Sequence, residues 1–316
     1  MSKSRAHYWF IGPAVALMIL LLIMPIFVAA TLSMTDYSLG NSGFNWVGIE
    51  NYEKLFSRRS YQKMFSASLT YVLLVVPISV ALGLGSALLI SSLRFGGEMY
   101  KAVFFLPVMA TLLAMAIVWE FALNPIVGVV NDVLRSGCDK SLIYGLLSGS
   151  WLGYEPTTSW YGAACIKKFP LWLGDKQYAL GTIAFIGIWQ GFGFNMVLYL
   201  AGLTSVPREL YHAAHMDGAD SAWERFKLVT WPMLGPTNVF VITISSIRSF
   251  QVFDTVEALT GGGPSKSTYV MVYAMFEKGV KQNLLGIGSA ITIVFLAFVL
   301  ILTLVQVYFV NRKVHY

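Results

Sequence analysis

Two groups of polar residues interrupt an otherwise apolar chain, and each suits a particular kind of recognition. The first lies in PRELYHAAHMDGADSAWERFKLVTWPML, from Pro207 to Leu234. Here Glu209, His212 and Asp217 surround the small residues Ala213, Ala214 and Gly218. Such a pattern suits charge-assisted docking to a soluble surface better than catalysis. His212 and His215 stand at i and i+3 with Asp217 beyond, a spacing that raises the question of a metal. Two imidazoles on a short exposed helix fall short of the ligand set a protein metal site uses. The second group sits inside apolar runs: Trp189, Gln190 and Asn195 in one, and Thr243, Ser245, Ser246, Arg248, Ser249 and Gln251 in another. An aromatic face with fixed hydroxyls and amides is how proteins hold a hydroxyl-rich small molecule such as a sugar. Polar groups at membrane depth are costly, and they mark a pathway by default.

Arg248 is the sharpest of these. It falls near the middle of its apolar run, with neither end close enough for easy snorkelling, so its guanidinium must face protein or water. In one reading it receives an anionic group (phosphate, sulfonate or carboxylate) through a bidentate contact. In the other it pairs structurally with an acid such as Glu120, with a carbonyl or with a neighbouring subunit.

These residues are positioned by apolar elements. Of 316 residues, 56% are apolar and 12% charged, with a mean hydropathy of +0.65. A soluble chain carries about 25% charged residues. Runs of about 20 apolar residues recur, each long enough to cross a bilayer. The pI near 9.2 and net charge of +6 come from basic residues scattered along short loops, which fits a membrane protein rather than a nucleic-acid binder. The two cysteines form no C-x-x-C, and the four histidines are scattered, so there is no zinc or redox motif. No glycine-rich phosphate loop follows a strand, so no ATP site is expected on this chain. The acids Glu120, Asp254 and Glu257 are too dispersed for a membrane-embedded enzyme acting on lipid-linked substrates.

Six spans are expected, at about 8–32, 64–90, 102–123, 180–203, 237–259 and 285–310. The first is too long for a signal-peptide core of about 7–15 residues, so it is read as an uncleaved helix. Lys3 and Arg5 before it place the N-terminus in the cytoplasm, and six spans return the C-terminus there. Arg94, Lys101, Arg208, Arg225, Lys227, Arg312 and Lys313 fall on the same side. The outer loops carry many basic residues too, but long segments weigh less in that rule. Between the fourth and fifth spans, about 207–234, helix grammar predicts a hairpin. Pro207 and Glu209 open the first helix, Gly218 stops it, and Ser221 with Glu224 forms a capping box opening the second. Trp231-Pro232 is expected to end that one.

The hairpin carries a resemblance. Ala213-Ala214, Asp217-Gly218-Ala219 and Pro232 fall in register with the EAA loop of binding-protein-dependent ABC importer permeases, most closely the sugar-uptake branch. Other segments resemble that branch as well. They are Trp46-Val47-Gly48-Ile49-Glu50-Asn51-Tyr52, Phe104-Phe105-Leu106-Pro107, Trp119 to Pro125, Trp189 with Gly191-Phe192-Gly193 and Met196, and Leu259 to Pro264. One position departs: where the family leads with Glu, this chain has His212. That removes one charge-assisted contact to a partner, and Glu209, one turn earlier, is placed to supply it.

The resemblance implies an all-α polytopic membrane protein, a single permease domain over 1–316 in the bacterial inner membrane. It implies a second permease subunit, two ATPase subunits on the cytoplasmic hairpin, and an extracytoplasmic substrate-binding protein. ATP and Mg would then sit on the partner subunits, and cargo would be a sugar or sugar derivative moved inward by alternating access. An exporter or channel subunit is the rival reading, and an importer-type hairpin argues against it.

About 127–176 is longer than its counterpart in that family and looks like an insertion on the outer side. It holds Cys138 and Cys165, which in an oxidising compartment are expected to form a disulfide. The alternative is a pair of free thiols packed as small apolar groups. Alkylation of the unreduced protein followed by mass analysis separates the two. A bonded pair takes no label until reductant is added, whereas two labelled thiols would remove the bond.

Overall fold

The computed structural model describes residues 6–41, 43–93, 95–131, 133 and 170–311, and among these it is helical, with a lone bridge between Thr35 and Trp46. Cys138 and Cys165, with most of the insertion, lie outside the described residues. The helices are α1 (Ala6–Met18), α2 (Met24–Leu32), α3 (Glu50–Ser57), α4 (Arg59–Ser92), α5 (Gly97–Met109), α6 (Leu112–Ala122) and α7 (Ala179–Thr204). They continue with α8 (Arg208–Met216), α9 (Ala222–Arg225), α10 (Trp231–Met233), α11 (Gly235–Phe250), α12 (Asp254–Leu259), α13 (Met271–Phe276) and α14 (Leu285–Asn311). Five stretches are long and apolar enough to cross a membrane, and α5 with α6 makes a sixth if that bent pair is one span. The expected third span is therefore not straight. It turns by 98° between α5 and α6. Ala110 and Thr111 both adopt extended backbone there, which interrupts the helical ladder, and Pro107 has already removed a donor one turn earlier.

The chain divides into two compact units, Met1–Ser66 with Val270–Asn311, and Ala67–Tyr269. In the first unit, α14 packs on α2 and α3. α1 and α2 are joined by a π turn, Ile19–Ile23, in which the Met24 N–H reaches back to the Ile19 carbonyl. Pro25 follows at once. A proline ring collides with the carbonyl four residues back in an α-helix, and a one-residue-wider turn displaces that carbonyl, so the helix continues.

The end of the first span shows what the segment from Val47 to Tyr52 does locally. A helix ending in an apolar setting leaves carbonyls that must find donors. Asn51, only 5% exposed, donates its amide to the Ser33 and Thr35 carbonyls, at 2.8 Å each. The Met34 carbonyl between them accepts from the Val47 and Gly48 N–H groups. Tyr52 Oη and Ser33 Oγ lie 2.7 Å apart. Gly48, at φ +58°, supplies the left-handed backbone that turns the chain toward these carbonyls.

In the second unit, α7 packs on α5 and α11 while α12 packs on α6. Its core joins Ala87 and Ile90 of α4, Met196 and Tyr199 of α7, Leu234, and Val241 of α11. Close helix approach depends on glycine. A Cβ at Gly193 would collide with the Phe104 carbonyl, and one at Gly83 would lie 2.6 Å from the Asn195 Cβ. Small residues at helix contacts are how membrane helices gain packing where lipid is as apolar as the side chains.

Asn51→Ala removes the donor from two carbonyls at once. Each buried group left unsatisfied costs about 1–3 kcal/mol. The variant should therefore melt at a lower temperature in detergent than the wild type, while truncation of the exposed Glu53 leaves the melt in place. An unchanged melt for Asn51→Ala would show that this cap is not what secures the first span.

Candidate functional site: a polar cavity and a surface hairpin

Within the second unit, α4, α7, α11 and the start of α12 line an open-mouthed cavity of about 290 Å³. Six of the residues singled out from the sequence line it: Gln190, Asn195, Ser245, Arg248, Ser249 and Gln251. Trp189 does not. It meets Trp119 edge to face, with ring centroids 5.5 Å apart, on another face of α7. Lining residues that the sequence reading missed include Tyr71 and Ser79 of α4 and Asp254 and Thr255 of α12. Tyr71, Val75 and Ser79 recur at i, i+4 and i+8, one stripe of a helix, and that spacing was the available signal.

The polar groups of this cavity fall into two sets. Asn195, 2% exposed, accepts from Ser245 Oγ at 2.9 Å, and its amide nitrogen lies 3.4 Å from Ser79 Oγ. This contact ties α4, α7 and α11 together and satisfies Asn195 internally, so the amide builds the wall. Arg248 belongs to the other set. It lies in the last turn of α11 rather than at the middle of a helix, exposed on the cavity side. Its guanidinium carbon sits 4.4 Å from the centre of the Phe194 ring, a cation–π contact. Among the described residues it forms no ion pair, and the alternative partner Glu120 is exposed on α6.

The hairpin follows its sequence grammar at three points. Pro207 is the N-cap of α8, and Glu209 stands in the first turn. Gly218 adopts φ +90°, and the Ala219 N–H closes on the Ala214 carbonyl at 2.9 Å. Both halves of the capping box are formed: the Glu224 N–H donates to Ser221 Oγ and the Ser221 N–H to Glu224 Oε2. The fourth expectation is corrected. Trp231-Pro232 does not end the second helix. A π turn, Phe226–Thr230, precedes it, with the Trp231 N–H bonded to the Phe226 carbonyl, and the helix runs through α10. The same device accommodates Pro25.

Of the residues expected on the docking face, Glu209, His212, Ala213, Asp217 and Gly218 are exposed, whereas Ala214 is buried. Ala214 packs with Val206, Ala219 and Val229 into a small core of the hairpin's own. Tyr211 Oη and Thr230 Oγ1, 3.0 Å apart, bridge its two limbs. His215 faces Asp220, Nδ1 to Oδ1 at 2.9 Å, rather than Asp217. No cluster of metal-ligating side chains occurs among the described residues.

The family described as "Binding-protein-dependent transport system inner membrane component" matches residues 79–315. Among curated relatives, the "Probable ABC transporter permease protein YurN" of Bacillus subtilis is 27% identical over 304 residues, covering 96% of this chain and 94% of its own. The "sn-glycerol-3-phosphate transport system permease protein UgpA" of Agrobacterium fabrum is 26% identical over 311 residues, covering 98% and 96%. Among solved structures, a chain of a bacterial alginate ABC transporter, in complex with an alginate pentasaccharide-bound periplasmic protein, superposes with a TM-score of 0.77. It is 19% identical and covers 98% of this chain and 95% of that one.

The Ser221 backbone N–H, with the Ser221 hydroxyl adding to it, holds the Glu224 carboxyl below its ordinary value of 4.5. A depressed carboxylate contributes stability that is present above the unfolded value and lost as pH falls through the folded one. Protection of the α9 amides against hydrogen exchange, corrected for intrinsic rates, should therefore drop below about pH 4.5. In Ser221→Ala, which loses the hydroxyl and keeps that N–H, it should be lower than in the wild type above that pH. Protection that is flat across that range in the wild type would remove the cap's role.

Proposed function

The chain belongs to the family of binding-protein-dependent transport system inner membrane components, and on that footing we propose that it lines half of the path by which a sugar or sugar derivative enters the cell. It is a multi-pass permease subunit of an ABC importer. The observation that carries the cargo reading is the cavity of about 290 Å³ among α4, α7 and α11. Apolar spans there converge amide, hydroxyl and guanidinium groups on one space, which a purely structural bundle would avoid. The names of the curated relatives and of the alginate transporter lend support, since glycerol phosphate and alginate are both hydroxyl-rich.

The rest of the assembly follows from that reading. A second permease subunit completes the pathway. Two ATPase subunits, holding ATP and Mg, engage this chain's hairpin and its counterpart, with both termini on the same cytoplasmic side. A substrate-binding protein delivers cargo from the other side. The hairpin's own small core lets it move as one piece, so a push on Glu209, His212, Ala213 and Asp217 is passed to α7 and α11, between which it lies. ATP-driven closure then favours the outward-open arrangement, and hydrolysis resets it.

Affinity purification of the chain from its native membrane in mild detergent, with identification of its companions, tests this reading. An ATPase should co-purify, and it should be lost when Asp217-Gly218 is deleted. Glu209→Ala should lower transport-coupled ATPase activity, since Glu209 takes the place of the acid replaced by His212. A chain that comes out alone, or an ATPase indifferent to the hairpin, would favour an exporter, channel or membrane-enzyme reading.

A further inference from the structure

The cavity can be read further by asking which of its polar groups are already satisfied. Asn195, Ser79 and Ser245 satisfy one another. Tyr71 and Ser249 behave differently. They are 3% and 7% exposed, both line the cavity, and neither side chain has a hydrogen-bond partner among the described residues. Their residues are buried, but the hydroxyls open on the cavity and not on packed protein. Two on one cavity wall mean that the cavity's contents, water or cargo, complete them. Gly187 belongs to the same arrangement: a Cβ there would collide with Tyr71 Oη, so the glycine keeps room for that hydroxyl.

Arg248 adds charge to this unsatisfied set. Stacking on Phe194 covers one face of its guanidinium and leaves the N–H edge, which is where a planar anion binds in two-point fashion. Asp254 lines the same cavity and does not pair with Arg248 within ion-pair distance. Left apart, the two offer an anion receptor and a hydroxyl acceptor in one space.

Resting on the transport reading above, we propose that the cavity binds a hydroxylated molecule bearing an anionic group. Arg248 receives the anion, and Tyr71, Ser249 and Asp254 take the hydroxyls. Carboxylate, sulfonate and phosphate share the chemistry Arg248 recognises.

The test uses the complete assembly purified in detergent, without nucleotide, and reads thermal stabilisation against probe concentration. The probes share one ring and differ at a single carbon: glucose, glucuronic acid, glucose 6-phosphate and 6-deoxy-6-sulfoglucose. At least one anionic probe should stabilise the assembly at a concentration where glucose does not, and the anion preferred among the three identifies the group. In Arg248→Gln that probe should bind roughly tenfold or more weakly. Tyr71→Phe, which deletes only the hydroxyl, should weaken it by a smaller factor. Equal stabilisation by glucose, no stabilisation by any probe, or an Arg248→Gln assembly that responds like the wild type would each overturn the proposal. Because each is read on an assembly that still contains its ATPase, these failures leave the importer reading standing. Loss of the ATPase itself is what would sink that reading.

Discussion

Inside a bilayer no water is available to complete a backbone N–H or carbonyl, and much of this structure answers to that one condition. It makes every span a helix. It also governs the interruptions. Pro25 lacks a donor and would collide with a carbonyl one turn back, and a π turn before it moves that carbonyl aside. Where the first span ends, Asn51 and the Val47 and Gly48 N–H groups supply the donors that Ser33, Met34 and Thr35 lack. The segment from Val47 to Tyr52, which stands out in the sequence as a motif, is in local terms a helix cap made from a distance.

The same condition gives meaning to side chains. A polar group among apolar spans is satisfied by the protein, opens on a cavity, or is left buried without a partner, as Tyr199 Oη and Asn238 Oδ1 are. Asn195, Ser79 and Ser245 hold three helices together and are complete. Tyr71, Ser249 and Arg248 open on the same cavity and find no hydrogen-bond partner among the described residues. Sorting the cavity's polar residues by their partners separates those that hold its wall together from those that open on its contents.

The hairpin stands under the opposite regime. In water its backbone ends are cheap to satisfy, so its shape rests on local devices: the turn at Gly218, the Ser221–Glu224 box, and a core as small as Val206, Ala214, Ala219 and Val229. These devices give it a shape of its own.

How much of this was legible in the sequence follows from the range of each interaction. Apolar length marked the spans, and the spacing of Ser221, Glu224 and Gly218 marked the hairpin's caps, because those effects act within a turn or two of chain. The bend between α5 and α6 and the passage of a helix through Pro232 were not legible. They depend on how neighbouring turns adjust, and Trp231-Pro232 reads locally as a stop. Within the cavity, the residue types were legible but not their directions. Where a span is apolar on every side, no hydrophobic stripe tells which face is turned inward. Gln190 and Trp189 are neighbours in sequence, yet the first faces the cavity and the second packs on Trp119. Tyr71 and Asp254 gave no local sign of belonging together. The sequence by itself determined a permease of apolar helices with a self-contained hairpin. The packing of α4, α7, α11 and α12 alone decided which polar atoms meet and which are left open, because that outcome depends on contacts between residues more than a hundred positions apart.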